Sequence, residues 1–193
     1  MNFLAHIYLS GDNEERMIGN FIADFVKGKK MFDYPHGIQK GIALHRKIDY
    51  FTDHHEVTAR SKEPLRKKYR HYSGVIVDLY YDHFLAKNFR DYSQIDLGEY
   101  THNTYEILSR NMAGLPVEVQ QFLPYMIERN WLLNYAHLQG LSRTLTGLSK
   151  RVNFENRMDE AIQDLEAGYP AFEADFREFF PELITFVQNQ PEV

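Results

Sequence analysis

From Glu14 to Lys27 the apolar residues Met17, Ile18, Phe21, Ile22, Phe25 and Val26 recur in pairs four apart, and Gly28 follows where a helix would be capped. That helical period governs the whole chain. The same spacing predicts helices over Pro35–His54, Ser73–Phe89 with Ser73 as N-cap, Leu97–Met112, Pro116–His137, Leu141–Arg151, Glu155–Ala167 and Pro170–Gln188. Pro116 and Pro170 suit helix starts, whereas Pro124 and Pro181 predict kinks or breaks. Alternation of period two never lasts more than a few residues, and the β-branched run Val75–Val77 has helical spacing on both sides. The expected fold is therefore all-α, a helical bundle with short connections. The 193 residues suit one domain, 1–193, and no repeat, low-complexity stretch or linker divides them.

Composition narrows the function classes. With 44% hydrophobic and 25% charged residues the chain has the balance of a folded protein. The absence of cysteine removes disulfides, thiolate zinc sites and thiol nucleophiles together, and suits a reducing compartment. The opening MNFLAHIYLSGD is apolar but lacks a basic leading region, is interrupted by His6 and is too short to span a bilayer. No later stretch is long and uncharged enough to do so, and the expectation is a cytoplasmic protein with no membrane partner. A formal net charge of −5 argues against nucleic acid as a partner.

The informative residues are polar ones on apolar stripes. On the helix from Pro35, a rotation of about 100° per residue puts Ile38, Ile42, His45, Asp49 and Thr52 in one line, with Arg46 on its flank. On the helix from Ser73, Val75, Asp78, Leu79, Asp82, Ala86 and Phe89 share a face, and His83 adjoins Asp82. Asp24 sits one turn after Phe21, at the edge of the first helix's apolar face. A lone histidine or aspartate in such a place is ordinarily a hydrogen-bonded structural group. Three helices that each turn a carboxylate or imidazole inward are different, because like charges brought together repel unless a cation neutralises them. Imidazole mixed with carboxylate, without thiolate, suits Mn²⁺, Fe²⁺ or Zn²⁺, and Mg²⁺ where carboxylates dominate. Neither a Gly-x-Ser-x-Gly context nor a phosphate-binding glycine loop is present.

One surface feature stands apart. Arg60, Lys62, Arg66, Lys67, Lys68 and Arg70 face only Glu63 within their segment, a local charge of +5. This is either a solvated helix face or loop, or a docking surface for an anionic partner.

The segments NFLAH (2–6), GNFIADFVKG (19–28), GIALHRKIDYFTD (41–53) and VDLYYDHFL (77–85) together resemble the acyl carrier protein phosphodiesterase family. The resemblance covers the first half closely and the second half in helical character, length and aromatic content. It implies a divergent HD-type phosphohydrolase that removes 4′-phosphopantetheine from holo acyl carrier protein, with a divalent metal, Mn²⁺ favoured. The adjacent His-Asp order of that wider class is absent, since Asp82-His83 reverses it and three residues separate His45 from Asp49. On this reading Asp24, His45, Asp49 and Asp82 are the expected metal ligands. Asp78 is a further ligand or the base that orients water, His83 or His6 the proton donor or a supporting group, and Arg46 a phosphate holder. Acyl carrier proteins are small and strongly acidic, which gives the Arg60–Arg70 cluster a partner. Two other readings are a hydrolase of a nucleotide or other small phosphodiester, and a non-catalytic helical module that binds an acidic partner.

Overall fold

The computed structural model describes residues 1–152 and 154–190, and every regular element among them is helical. The α-helices are α1 (Phe3–Tyr8), α2 (Glu14–Ile22), α3 (His36–His54), α4 (Glu56–Tyr69), α5 (Ser73–Lys87), α6 (Leu97–Arg110), α7 (Val117–Glu128), α8 (Trp131–Asn134), α9 (Leu138–Arg151) and α10 (Ala161–Gln188). Their apolar faces meet in a hydrophobic cluster that runs from Met1 to Leu183. No described helix is long and apolar enough to cross a membrane.

α5 is the axis of the bundle. Its Ile76, Val77, Leu79, Tyr80, Tyr81, Phe84 and Leu85 are fully buried on several faces, and it lies against α1, α4, α9 and α10. A helix apolar on nearly every side has no solvent stripe to leave outside. Reading one inward face from Val75 to Phe89 was therefore too narrow, and Val75 itself is exposed.

Several boundaries differ from the periodic reading, each for a local reason. The apolar opening that His6 interrupts is a helix, α1. α2 ends at Ile22 rather than Lys27, because Ala23–Phe25 tightens into a 3₁₀ turn that carries Asp24 off the helix face, so Gly28 does not cap α2. Ser73 is the first residue of α5, and its hydroxyl donates back to the Arg70 carbonyl instead of capping the helix. Asn130, with φ of +44°, separates α7 from α8 within the stretch expected to be continuous. The helix expected from Glu155 starts only at Ala161, after a 3₁₀ turn at Met158–Glu160, and is joined to the one expected from Pro170 in α10, bent at Gly168; Pro124 and Pro181 lie inside their helices.

The basic segment is helix α4, and most of its charge is answered within the chain. Arg60 reaches Asp175 and Glu178 on α10, Lys68 reaches Asp164 and Glu160, Lys62 reaches Asp53, and Arg66 reaches Glu63. Lys67 and Arg70 have no ion pair among the described residues.

α2 and α3 cross backbone to backbone. A Cβ on Gly19 would lie 2.0 Å from the Ile38 carbonyl oxygen, and one on Gly41 would lie 2.1 Å from that of Arg16. Only hydrogen fits at either place. Gly41→Ala should lower stability by about 3 kcal/mol through overpacking, read as a lower urea midpoint with unchanged slope. Gly147→Ala, whose Cβ would meet nothing within 4 Å, should instead add about 0.5–1 kcal/mol from helix propensity. Equal midpoints for Gly41→Ala and wild type would show that the helices can part at no cost.

Candidate metal centre

The close crossing of α2 and α3 sets His45 against the chain of α2. The His45 Nδ1–H donates to the Asn20 carbonyl at 2.8 Å. From α1, the His6 Nδ1–H donates to the Asn20 side-chain oxygen, also at 2.8 Å. The amide orientation is fixed by its other end, since Asn20 Nδ2 donates to the His6 carbonyl at 2.7 Å and to Ser10 Oγ at 3.0 Å. One fully buried asparagine therefore holds both imidazoles, which stack with ring centres 3.8 Å apart and planes 13° apart.

With both Nδ1 atoms committed as donors, each neutral ring turns an Nε2 lone pair the other way. Asp49 waits there. Its Oδ1 lies 3.1 Å from His6 Nε2 and its Oδ2 3.1 Å from His45 Nε2. Asp24 Oδ1 is 3.3 Å from His45 Nε2, and the Met1 carbonyl is 3.1 Å from His6 Nε2. His45 Nε2 is buried and makes no hydrogen bond of good geometry. Lone pairs and carboxylate oxygens that converge without a proton between them leave room for positive charge. His6, His45 and Asp49 offer ligand atoms that all lie within 4.8 Å of one another, a group able to hold a metal ion. A ligating histidine whose other ring nitrogen donates to a carbonyl is the usual supporting arrangement for such a site.

The protonation tendencies say the same. Burial and the neighbouring His45 push the His6 pKa down to about 4, so this ring is neutral near pH 7. Burial alone would lower His45, but the Asp24 and Asp49 carboxylates beside its Nε2 outweigh it and lift the pKa to about 9. Burial would raise Asp49, yet the two histidines hold it well below the usual carboxylate range. A proton on His45 thus stands where a cation would.

The other residues singled out from sequence lie around this group or away from it. Asp24 is at the mouth, its side chain 69% exposed. Arg46 is exposed beside His45 and reaches the Val26 carbonyl and the Met31 sulfur. Asp78 meets the Met1 ammonium at 3.1 Å, which also lies 3.7 Å from Asp49.

Asp82 has another task than ligation. Its oxygens accept the Leu4 and Ala5 N–H groups at 2.7 and 3.2 Å, so it caps the N-terminus of α1 from across the core. Burial raises its pKa to about 7 even against those bonds. His83 is turned away as well. Its Nδ1–H donates to the Tyr135 carbonyl at 2.7 Å, and its Nε2 accepts from the Tyr169 hydroxyl at 2.8 Å, so it is not free to serve as an acid.

A family model described as acyl carrier protein phosphodiesterase matches residues 1–183. Curated proteins of that name are similar along nearly the full length. One from Photorhabdus laumondii is 28% identical over 191 residues, which is 98% of this chain and 96% of the relative. One from Enterobacter sp. is 29% identical over 98% of this chain and 99% of the relative, and one from Escherichia coli is 31% identical over 95% and 96%. No solved structure matches the chain.

Asn20 is the residue whose removal should separate scaffold from chemistry. Asn20→Ala removes the side-chain acceptor of His6 and keeps the main-chain carbonyl that holds His45, and the buried His6 N–H left without a partner should cost about 2–3 kcal/mol. It should also weaken divalent-metal affinity about 10- to 100-fold, as loss of a supporting partner does. Calorimetric titration of the folded variant with Mn²⁺ reads the second effect. Unaltered affinity would show that the His6 imidazole is aligned by something else.

Proposed function

Because the chain belongs to the acyl carrier protein phosphodiesterase family, we propose that it hydrolyses the 4′-phosphopantetheine group from holo acyl carrier protein and leaves the apo protein. The observation that carries this reading is the convergence of His6 Nε2, His45 Nε2 and Asp49 behind an exposed Asp24, with both rings locked by Asn20. A mixed imidazole and carboxylate set fits Mn²⁺, and Mg²⁺ or Fe²⁺ share its preferences. Such an ion, held by these residues, would neutralise phosphoryl oxygens and make water more acidic at neutral pH. The donor set from separate helices accords with a divergent HD-type enzyme, and one domain over 1–193 in the cytoplasm accords with a carrier protein as substrate.

In the reaction water adds to phosphorus, the bond from phosphorus to the carrier serine oxygen breaks, and that oxygen regains a proton. Asp49 fixes the two imidazoles at its two oxygens. Asp24, the solvent-facing carboxylate, is placed to hold the incoming water, and Arg46 on the rim is the fixed positive charge nearest an approaching phosphate. The serine alkoxide needs a proton as it leaves. His83 cannot give it from its bonds to Tyr135 and Tyr169, so that proton comes from the open side of the site.

Mass spectrometry of holo carrier incubated with the protein and Mn²⁺ tests the reading. Loss of the phosphopantetheine mass, stopped by chelator and restored by Mn²⁺, is the expected result. A carrier that stays holo while small phosphodiesters are cleaved would move the assignment to a general phosphodiesterase. The metal role has its own readout, since a ligand that binds only the folded state raises its melting temperature. Wild type should melt higher with Mn²⁺, and His45→Ala and Asp49→Ala should show no such gain. A gain equal to wild type in both variants would remove these two as ligands.

A further inference from the structure

Between α8, α9 and the first residues of the chain lies a cavity of about 600 Å³, the size of a small-molecule site. Phe3, Trp131 and Leu148 give it apolar walls, and Arg129, Arg143 and Arg151 stand exposed at its rim. No aspartate or glutamate lines it. Elsewhere on this acidic chain Arg60, Arg110, Arg157 and Arg177 each grip a carboxylate. The three rim arginines have no ion pair among the described residues, and the Arg151 guanidinium lies 6.0 Å from the centre of the Trp131 ring.

The cavity adjoins the metal centre along two paths. Asn2 lines it, and the carbonyl of the preceding Met1 meets His6 Nε2. An aromatic track runs beside that link. Phe25, next to Asp24 at the mouth, packs on Phe122 at 5.5 Å, and Phe122 stacks on Trp131 at 6.2 Å with planes 3° apart. All three rings are only partly buried, so each has an exposed edge.

We infer that this cavity seats the pantetheine arm of the substrate, which leaves its phosphate at the metal centre and follows Phe25 and Phe122 onto Trp131. The inference rests on the reading that holo carrier is the substrate. Beyond its phosphate the arm is an uncharged chain with two methyl groups on one carbon, two amides and a thiol. Apolar walls suit its carbon atoms, and Asn2, Asn134 and Thr144 on the lining offer amide and hydroxyl partners. The arm itself gives no reason for three cations. They lie where the acidic protein that bears the arm would approach, and unlike most of the bases of α4 they carry charge that no ion pair among the described residues answers.

Two features make the test direct. Trp131 is the only tryptophan of the chain, so fluorescence excited where tyrosine does not absorb reports on this cavity. A Cβ at Gly147, on the lining, would meet nothing within 4 Å, so Gly147→Leu is the substitution expected to narrow the cavity without its Cβ meeting backbone. Free pantetheine should change wild-type fluorescence saturably and leave the Gly147→Leu signal unmoved. The same variant should raise KM for holo carrier, and its preference for carrier over bis(p-nitrophenyl) phosphate should fall about tenfold. Wild-type fluorescence indifferent to pantetheine, or an unaltered preference in a Gly147→Leu protein that melts like wild type, would overturn the assignment. If wild type binds pantetheine while the carrier stays holo, the substrate reading fails and the cavity stands as a pantetheine site.

Discussion

Gly19 and Gly41 face each other where α2 crosses α3, and His6, His45 and Asp49 converge because nothing larger than hydrogen stands between the two glycines. At that separation a side chain on α3 can reach the main chain of α2, and His45 does so at the Asn20 carbonyl. Move the helices apart by the width of a methyl group and the imidazole loses its acceptor and its tautomer together. Backbone-to-backbone packing is rigid because it has no rotamers to yield, which suits a site whose ligand atoms must converge. The carbonyl that fixes His45 and the side-chain amide that fixes His6 belong to the same residue, so the two rings cannot drift independently.

The same logic explains the unlike fates of aspartates that look alike in sequence. Asp49 and Asp82 each interrupt an apolar run on a helix. Asp49 meets two imidazole nitrogens already committed on their far sides, so its negative charge remains available to a cation. Asp82 meets the first amides of α1, whose N–H groups have no partner within their own helix, and is consumed by them. A six-residue helix is too short to be stable alone. It is held by the capping bonds from α5 and by the burial of Leu4, Ala5 and Ile7. Asp82 thereby supports the centre at one remove, because α1 is what delivers His6.

How much of this was legible in the sequence depends on which atoms made the contact. The all-helical class followed from apolar spacing, and His6, His45, Asp49 and Asp24 were found as polar breaks in that spacing. The same signal named Asp82 and His83, because a break in period shows that a group is buried but not what it touches. For α5, buried on nearly every side, even the direction was ambiguous, and His83 faces Tyr135 and Tyr169 rather than the centre. Asn20 escaped notice for a different reason. Half of its role is a backbone carbonyl, which every residue has, and an asparagine on a helix ordinarily reads as solvent-facing. The apolar residues around it, and the glycine beside it, were the available clue.

Charge was the property least readable from a window of sequence. The six bases from Arg60 to Arg70 make a strong local excess, but electrostatic neighbours are set by the fold, and α10 brings Asp164, Asp175 and Glu178 from about a hundred residues away. Those exposed ion pairs each contribute little to stability. Their larger effect is to cancel the field that the segment would otherwise project, leaving Lys67 and Arg70 as its unpaired remainder. Arg129, Arg143 and Arg151 show the converse. They are spread over 23 residues of sequence, where no charge cluster is visible, yet the end of α7 and helix α9 gather them around one cavity lined by no carboxylate. In an acidic protein a positive surface needs more than basic residues; it needs acids kept away from them. That condition is met at the rim of the cavity and not along most of α4, so the unanswered positive charge is gathered on the side of the molecule that adjoins His6 and Asp49.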